Sequence, residues 1–142
     1  MKKFEEFIKM GIIKKQSPNK NRATSLVKEA DDKKTFLDLT LNKIPKDKMN
    51  ANFVVNYCYD ILMELIRAKM FIGGFNAGNS HEAEVSYFSS LGFSDADAEF
   101  MDELRYYRNG TKYYGTILEN GYAEKTLAFM NKNYSKLKKL IR

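Results

Sequence analysis

Ala51-Asn52-Phe53-Val54-Val55-Asn56-Tyr57-Cys58-Tyr59-Asp60-Ile61-Leu62-Met63-Glu64-Leu65-Ile66-Arg67-Ala68-Lys69-Met70-Phe71-Ile72 is the stretch that decides the fold. Asn56, Asp60, Glu64 and Arg67 recur at steps of four, four and three, which places them on one narrow stripe of a helix. Almost everything else is apolar, so this helix packs on most of its circumference and forms the core element. Asn50 or Asn52 is placed to cap its start, and Gly73-Gly74 ends it. Cys58 lies inside the apolar run and reads as a small core residue.

The flanking segments read as helices that cover this core. Phe4, Phe7, Ile8 and Ile12 predict a short amphipathic helix over residues 3–14, broken by Ser17-Pro18-Asn19. Ala23, Val27, Ala30, Leu37 and Leu41 share one side of a second helix from about Asn21 to Leu41, whose other side is charged. Beyond the glycine- and asparagine-rich loop to Asn79, Asn79 or Ser80 caps a short helix through Phe88. Ser94-Asp95-Ala96-Asp97 has capping-box spacing and opens a helix carrying Phe100, Met101, Leu104 and Tyr107. Gly110 interrupts that pattern, but one glycine need not end a helix. Ala123, Leu127, Met130, Tyr134, Leu137 and Ile141 alternate spacings of four and three, a packing seam on a last helix from about Tyr122 to Ile141. No strand alternation or hairpin signal appears. The expected fold is all-α: an antiparallel bundle of five to six helices in a single domain over 1–142, with the helix of 1–16 appended to a bundle at 20–140.

The 142 residues are enough to bury a core without staples. No apolar run approaches the roughly 18–20 residues that span a bilayer, so no membrane association is expected. A single cysteine excludes an internal disulfide and a cysteine-based zinc cluster, and the expected compartment is the cytoplasm. The net charge of +6 is unevenly spread. Residues 1–50 carry 13 Lys/Arg against 7 Asp/Glu, residues 51–100 carry 2 against 7, and residues 101–142 carry 9 against 4. Basic ends around an acidic middle permit nucleic-acid binding, subunit pairing or ordinary solvation.

Conventional catalytic signatures are missing. The chain has no Walker-type phosphate loop, dinucleotide fingerprint or nucleophile elbow, and one histidine with one cysteine leaves no metal cage. Neither a metal nor a cofactor is expected. The acidic residues read as caps and solvated faces. His81, the only side chain that titrates near neutrality, follows a helix cap and is read as making a local hydrogen bond that shapes the turn.

Leu104-Arg105-Tyr106-Tyr107-Arg108-Asn109-Gly110-Thr111-Lys112-Tyr113-Tyr114-Gly115 packs three cations and four tyrosines into twelve residues. Such density is costly to bury and suits a surface that binds phosphates or bases. Asp102 and Arg105 are spaced to pair. Arg108 can fork on a phosphate, while Tyr113 lies about 140° further round the helix. The other reading of the cluster makes its tyrosines core or interface aromatics, with Arg108 holding a helix end.

Three passages resemble the HEPN family (higher eukaryotes and prokaryotes nucleotide-binding), specifically its small stand-alone prokaryotic members. They are Val55 to Ile61 in the central helix, Gly73-Gly74 through Ser80-His81-Glu82-Ala83, and Leu104-Arg105 with Arg108-Asn109 and Tyr113-Tyr114-Gly115. The resemblance covers roughly residues 20–140. It implies an all-α homodimer binding RNA or nucleotide at a cleft around Arg108, with Arg105, Lys112 and Tyr114 as further binding residues. It also implies Arg108, Asn109 and Tyr113 as the catalytic positions of a metal-independent ribonuclease. Many relatives carry a histidine four to six residues after the arginine–polar pair, where this chain has Tyr113 and Tyr114. Tyrosine, with a pKa of about 10, is a poor base at neutral pH, so the implied activity is weak or degenerate. The alternative is a non-enzymatic module partnering a minimal nucleotidyltransferase in a toxin–antitoxin-like pair, with Tyr113 or Tyr114 as modification acceptor.

Overall fold

A computed structural model of the chain describes residues 1–141. Its helices are α1 (Phe4–Lys9), α2 (Lys20–Lys43), α3 (Ala51–Ile72), α4 (His81–Ser89), α5 (Asp95–Tyr113) and α6 (Asn120–Ile141). The fold is an all-α helical bundle, as its periodicities predict.

The apolar helix read from the sequence is α3, and it is the axis of the molecule. Fourteen of its residues are buried, because α2 and α6 pack along it on two sides while α4 and α5 cover a third. The main apolar cluster runs from Phe7 and Ile13 through Leu62, Leu65 and Ile66 to Met101, Leu104, Met130 and Leu137. Four helices begin on a side chain that accepts a backbone N–H. Asn19 caps α2 through Arg22, Asn50 caps α3 through Phe53, Ser80 caps α4 through Ala83, and Ser94 caps α5 through Asp97, at 3.0–3.2 Å. Each cap contributes about 1 kcal/mol.

Asn52, the other capping option for α3, has a different task. Its Nδ2 donates to the Thr116 carbonyl and its Oδ1 accepts from the Leu118 N–H, so it ties the α5–α6 connection to α3. Gly110 does not end α5, which continues to Tyr113. Its carbonyl accepts from the N–H groups of Tyr114 and Thr116. A Cβ at Gly110 would stand 2.8 Å from Thr116 Oγ1, so the chain folds back here because that side chain is missing.

The N-terminal segment differs from expectation. Its helix covers only Phe4–Lys9, and the chain then runs into a two-residue strand, β1 (Lys14–Lys15), antiparallel to β2 (Phe75–Asn76). Two residues are too few for alternation to register in a sequence. The pairing extends through the Gln16 N–H donating to the Gly74 carbonyl and the Asn19 N–H donating to the Phe71 carbonyl. Gly74 has φ of +79°, and a Cβ there would lie 2.5 Å from the Gln16 carbonyl oxygen. Glycine alone meets both demands. Phe4 then packs edge-on to Phe75 and Tyr87, with ring centroids 5.0 Å apart in each pair. Among the described residues, no helix is long and apolar enough to cross a membrane.

Candidate anion-binding cleft

The polar stripe of α3 cannot face solvent along its length, because its helix is covered on most sides. Each stripe residue instead meets a partner from a neighbouring helix. Asn56 Nδ2 donates to Thr111 Oγ1 at 3.0 Å, and Asp60 Oδ1 accepts from Arg108 Nε at 3.2 Å, both partners lying on α5. Glu64 accepts from the Lys33 ammonium of α2. Arg67 forks on the Glu84 carboxylate of α4, with Nη2–Oε1 at 3.0 Å. Glu64 and Glu84 are buried, and buried charges persist only when paired and hydrogen-bonded. The stripe is therefore a ladder that fixes the register of three helices on α3.

Between the rungs lies a cleft of about 290 Å³, to which α2 contributes Lys33, α3 Asp60, Glu64 and Arg67, α4 His81 and α5 Arg108. Tyr59 is fully buried and contacts two of the lining residues, Arg108 and His81. The Arg108 guanidinium carbon sits 5.5 Å from the Tyr59 ring centroid. The His81 imidazole lies nearly parallel to the same ring, with centroids 5.9 Å apart. Among the described residues, the guanidinium of this cleft-lining arginine has no hydrogen bond besides Nε to Asp60, so its outer nitrogens have no protein acceptor. Two parallel N–H groups at that position match a phosphate or carboxylate edge.

Tyr59 also decides what His81 can do. Its hydroxyl stands 2.9 Å from His81 Nδ1 and has no other partner among the described residues. Burial pushes the phenol well above its ordinary pKa, so it keeps its proton. A buried O–H needs an acceptor, so Tyr59 donates to Nδ1 and the neutral imidazole carries its proton on Nε2. His81 is held neutral by burial, which lowers its pKa first; Glu84 opposes this while Arg108 and Arg67 reinforce it. The cleft thus brings the cations Lys33, Arg67 and Arg108 and a neutral histidine together with the carboxylates of Glu29, Asp60 and Glu64, and among its cations Arg108 is the one whose outer nitrogens have no protein acceptor among the described residues.

These positions rearrange the site residues read from the sequence. Arg108 alone of the α5 cluster lines the cleft, while Asn109 is half-buried and outside the lining. Arg105 donates to Asp102 at 2.8 Å, the pairing their spacing predicts. Lys112, Tyr113 and Tyr114 are exposed at the end of α5, the tyrosines at 71% and 83%, and none reaches the cleft. Tyr113 is turned about 140° from Arg108 and Tyr114 lies past the end of α5, whereas Lys112 shares the side of Arg108 but stands one turn further along, at the exposed end of the helix. The expected local bond of His81 is replaced by the one to Tyr59, 22 residues away in sequence. The acidic residues are not all solvated either: Glu64 and Glu84 are buried partners in the ladder, and Asp97 is buried at the start of α5 against Lys132. No cluster of three or more potential metal ligands occurs among the described residues.

Sequence reading missed Tyr59, Asp60, Glu64, Arg67 and Lys33 as site residues. The stripe itself was the available signal, since polar residues on a nearly buried helix require partners. No protein-family model matches the chain, and no curated protein or solved structure does either.

Proposed function

We propose that the chain is a HEPN-like homodimeric domain that binds RNA or a nucleotide through the cleft around Arg108. One observation carries this reading: the outer nitrogens of the Arg108 guanidinium have no protein acceptor among the described residues, and Arg108 lines, together with His81, a cleft large enough for a phosphate and its sugar. An arginine fork makes charge-assisted hydrogen bonds to phosphate oxygens, which are stronger than bonds between neutral groups. His81 supports the same reading as a donor at Nε2. Strand cleavage needs a base, and the tautomer favoured by Tyr59 removes the His81 imidazole from that role, leaving only carboxylates in the cleft. The test is a titration of labelled RNA at fixed salt. Arg108→Ala is expected to keep the fold and lower affinity at least tenfold, and unchanged affinity would sink the reading.

A second reading rests on Tyr113 and Tyr114. Their exposure beyond the cleft suits a module that presents tyrosines to a minimal nucleotidyltransferase. Incubation with such an enzyme and ATP would then add a nucleotidyl mass to wild type. Tyr113→Phe combined with Tyr114→Phe would abolish that addition. A mass increase that persists in the double variant counts against this reading.

A further inference from the structure

Arg22 stands in the first turn of α2 and is exposed. Its guanidinium carbon lies 4.9 Å from the centroid of the Phe71 ring, and among the described residues that group has neither an ion pair nor a hydrogen bond. It lines a cavity of about 300 Å³ bounded by α2, the end of α3, the start of α4 and the loop that carries Asn76 and Asn79. Arg67 and His81 line this cavity and the Arg108 cleft alike, so the two adjoin. One face of α2 borders both: Leu26, Glu29 and Lys33 line the cleft, and Arg22 is one turn before Leu26. Cleft and cavity therefore make one groove along the seam of α2 and α3.

The ends of that groove differ from its middle. Lys33 is bonded to Glu64 and Arg67 to Glu84, which leaves these cations paired. The Arg108 outer nitrogens and the Arg22 guanidinium have no acceptor among the described residues. The acid lining the Arg22 cavity is Glu84, and Arg67 holds both of its oxygens. Arg108 is anchored at Asp60 and Arg22 at Phe71, which lie eleven residues, or about 16 Å, apart along α3. Phosphates of a stacked strand follow one another at about 3.4 Å along its axis, so one nucleotide meets one of these guanidinium groups and only a longer strand meets both. We infer that the Arg22 cavity is a second phosphate subsite, and that the groove takes an RNA strand of several nucleotides with one phosphate on Arg108 and a later one on Arg22. This inference rests on the RNA-binding reading of the Arg108 cleft.

The test titrates labelled diuridylate and octauridylate by fluorescence anisotropy over a range of salt. Arg22→Gln keeps the length that covers Phe71 and removes the charge. It should lower the ratio of octamer to dimer affinity about fivefold and reduce the salt slope of octamer binding by about 0.7. If R22Q does not fold, R22K carries the test: it keeps the charge and loses the fork, so octamer affinity should fall about threefold at an unchanged slope. Lys136→Gln removes one charge from an exposed residue of α6 that lines neither cleft nor cavity, and serves as the control. Octamer binding by R22Q or R22K that matches the wild type means that Arg22 only covers the Phe71 ring, and overturns the inference. An equal loss in K136Q overturns it as well, because net charge alone then sets affinity. In both cases the Arg108 cleft still stands if Arg108→Ala weakens binding. Failure of the underlying reading looks different: the wild type binds neither oligonucleotide, or Arg108→Ala changes neither affinity, and the inference falls with it.

Discussion

The Tyr59 hydroxyl stands 2.9 Å from His81 Nδ1, joining the centre of α3 to the first residue of α4. Protonating His81 would turn Nδ1 into a donor and leave the buried Tyr59 O–H without an acceptor. Burial and the Arg108 and Arg67 charges already depress the imidazole. His81 is therefore expected to titrate below about 6.5, followed by its ring proton signals in NMR. The unfolded chain binds this proton more readily than the folded one, so stability from this group is full above about pH 6.5 and declines as pH falls toward the folded-state value. Tyr59→Phe removes the hydroxyl, costs about 1 kcal/mol and raises the titration midpoint. A midpoint unmoved in the variant would show that the phenol does not fix the tautomer.

Asp60 competes with any anion for Arg108, since its Oδ1 holds Nε at 3.2 Å. Asp60→Asn keeps the shape and removes the charge. The expected result is the reverse of an ordinary site mutation: RNA affinity rises severalfold at low salt, and the salt dependence of binding steepens. Weaker binding by the asparagine variant would mean that Asp60 orients the guanidinium more than it competes for it.

The sequence made the bundle legible because α3 and its partners carry helical periodicity that burial then enforces. Ser80 and Ser94 were readable as caps for the same local reason: the bond spans three residues. The cleft was only half legible. Arg108 stood out by its neighbours in the chain, but its working partners come from α2, α3 and α4. Asp60 is 48 residues from Arg108, and Tyr59 is 22 from His81. Such pairings follow from helix packing, which no local spacing encodes. The α3 stripe came closest to announcing them, because Glu64 and Arg67 on a buried helix require partners, but that the partners are Lys33 and Glu84 is decided by helix packing alone.

Gly74 joins the N-terminal segment to the end of α3. With φ of +79° and the Gln16 carbonyl oxygen 2.5 Å from where a Cβ would stand, Gly74→Ala meets backbone strain and a backbone clash together. The expected loss is about 1–3 kcal/mol in chemical denaturation. It should come with faster amide exchange at Gln16, whose N–H donates to the Gly74 carbonyl. An alanine variant as stable as wild type would show that the β1–β2 clip bears little of the fold's stability.

Association of two copies is the last expectation, and it rests on apolar groups left uncovered at one end of the bundle. Phe36 of α2 and Phe53 of α3 are both exposed, and each contacts the ring of Tyr57, at 6.1 and 5.0 Å between centroids. Asn52 holds the α5–α6 connection next to Phe53, and that connection carries the exposed Ile117. Aromatic and aliphatic side chains gathered this way are the anchors that protein interfaces bury. Light scattering at micromolar protein should return twice the chain mass, and Phe53→Asp should reduce it to a single chain without unfolding the bundle, because Phe53 lies outside the core cluster. A single-chain mass for the wild type would remove the dimer and leave the Arg108 cleft to be judged on its own, since every group lining it comes from one copy.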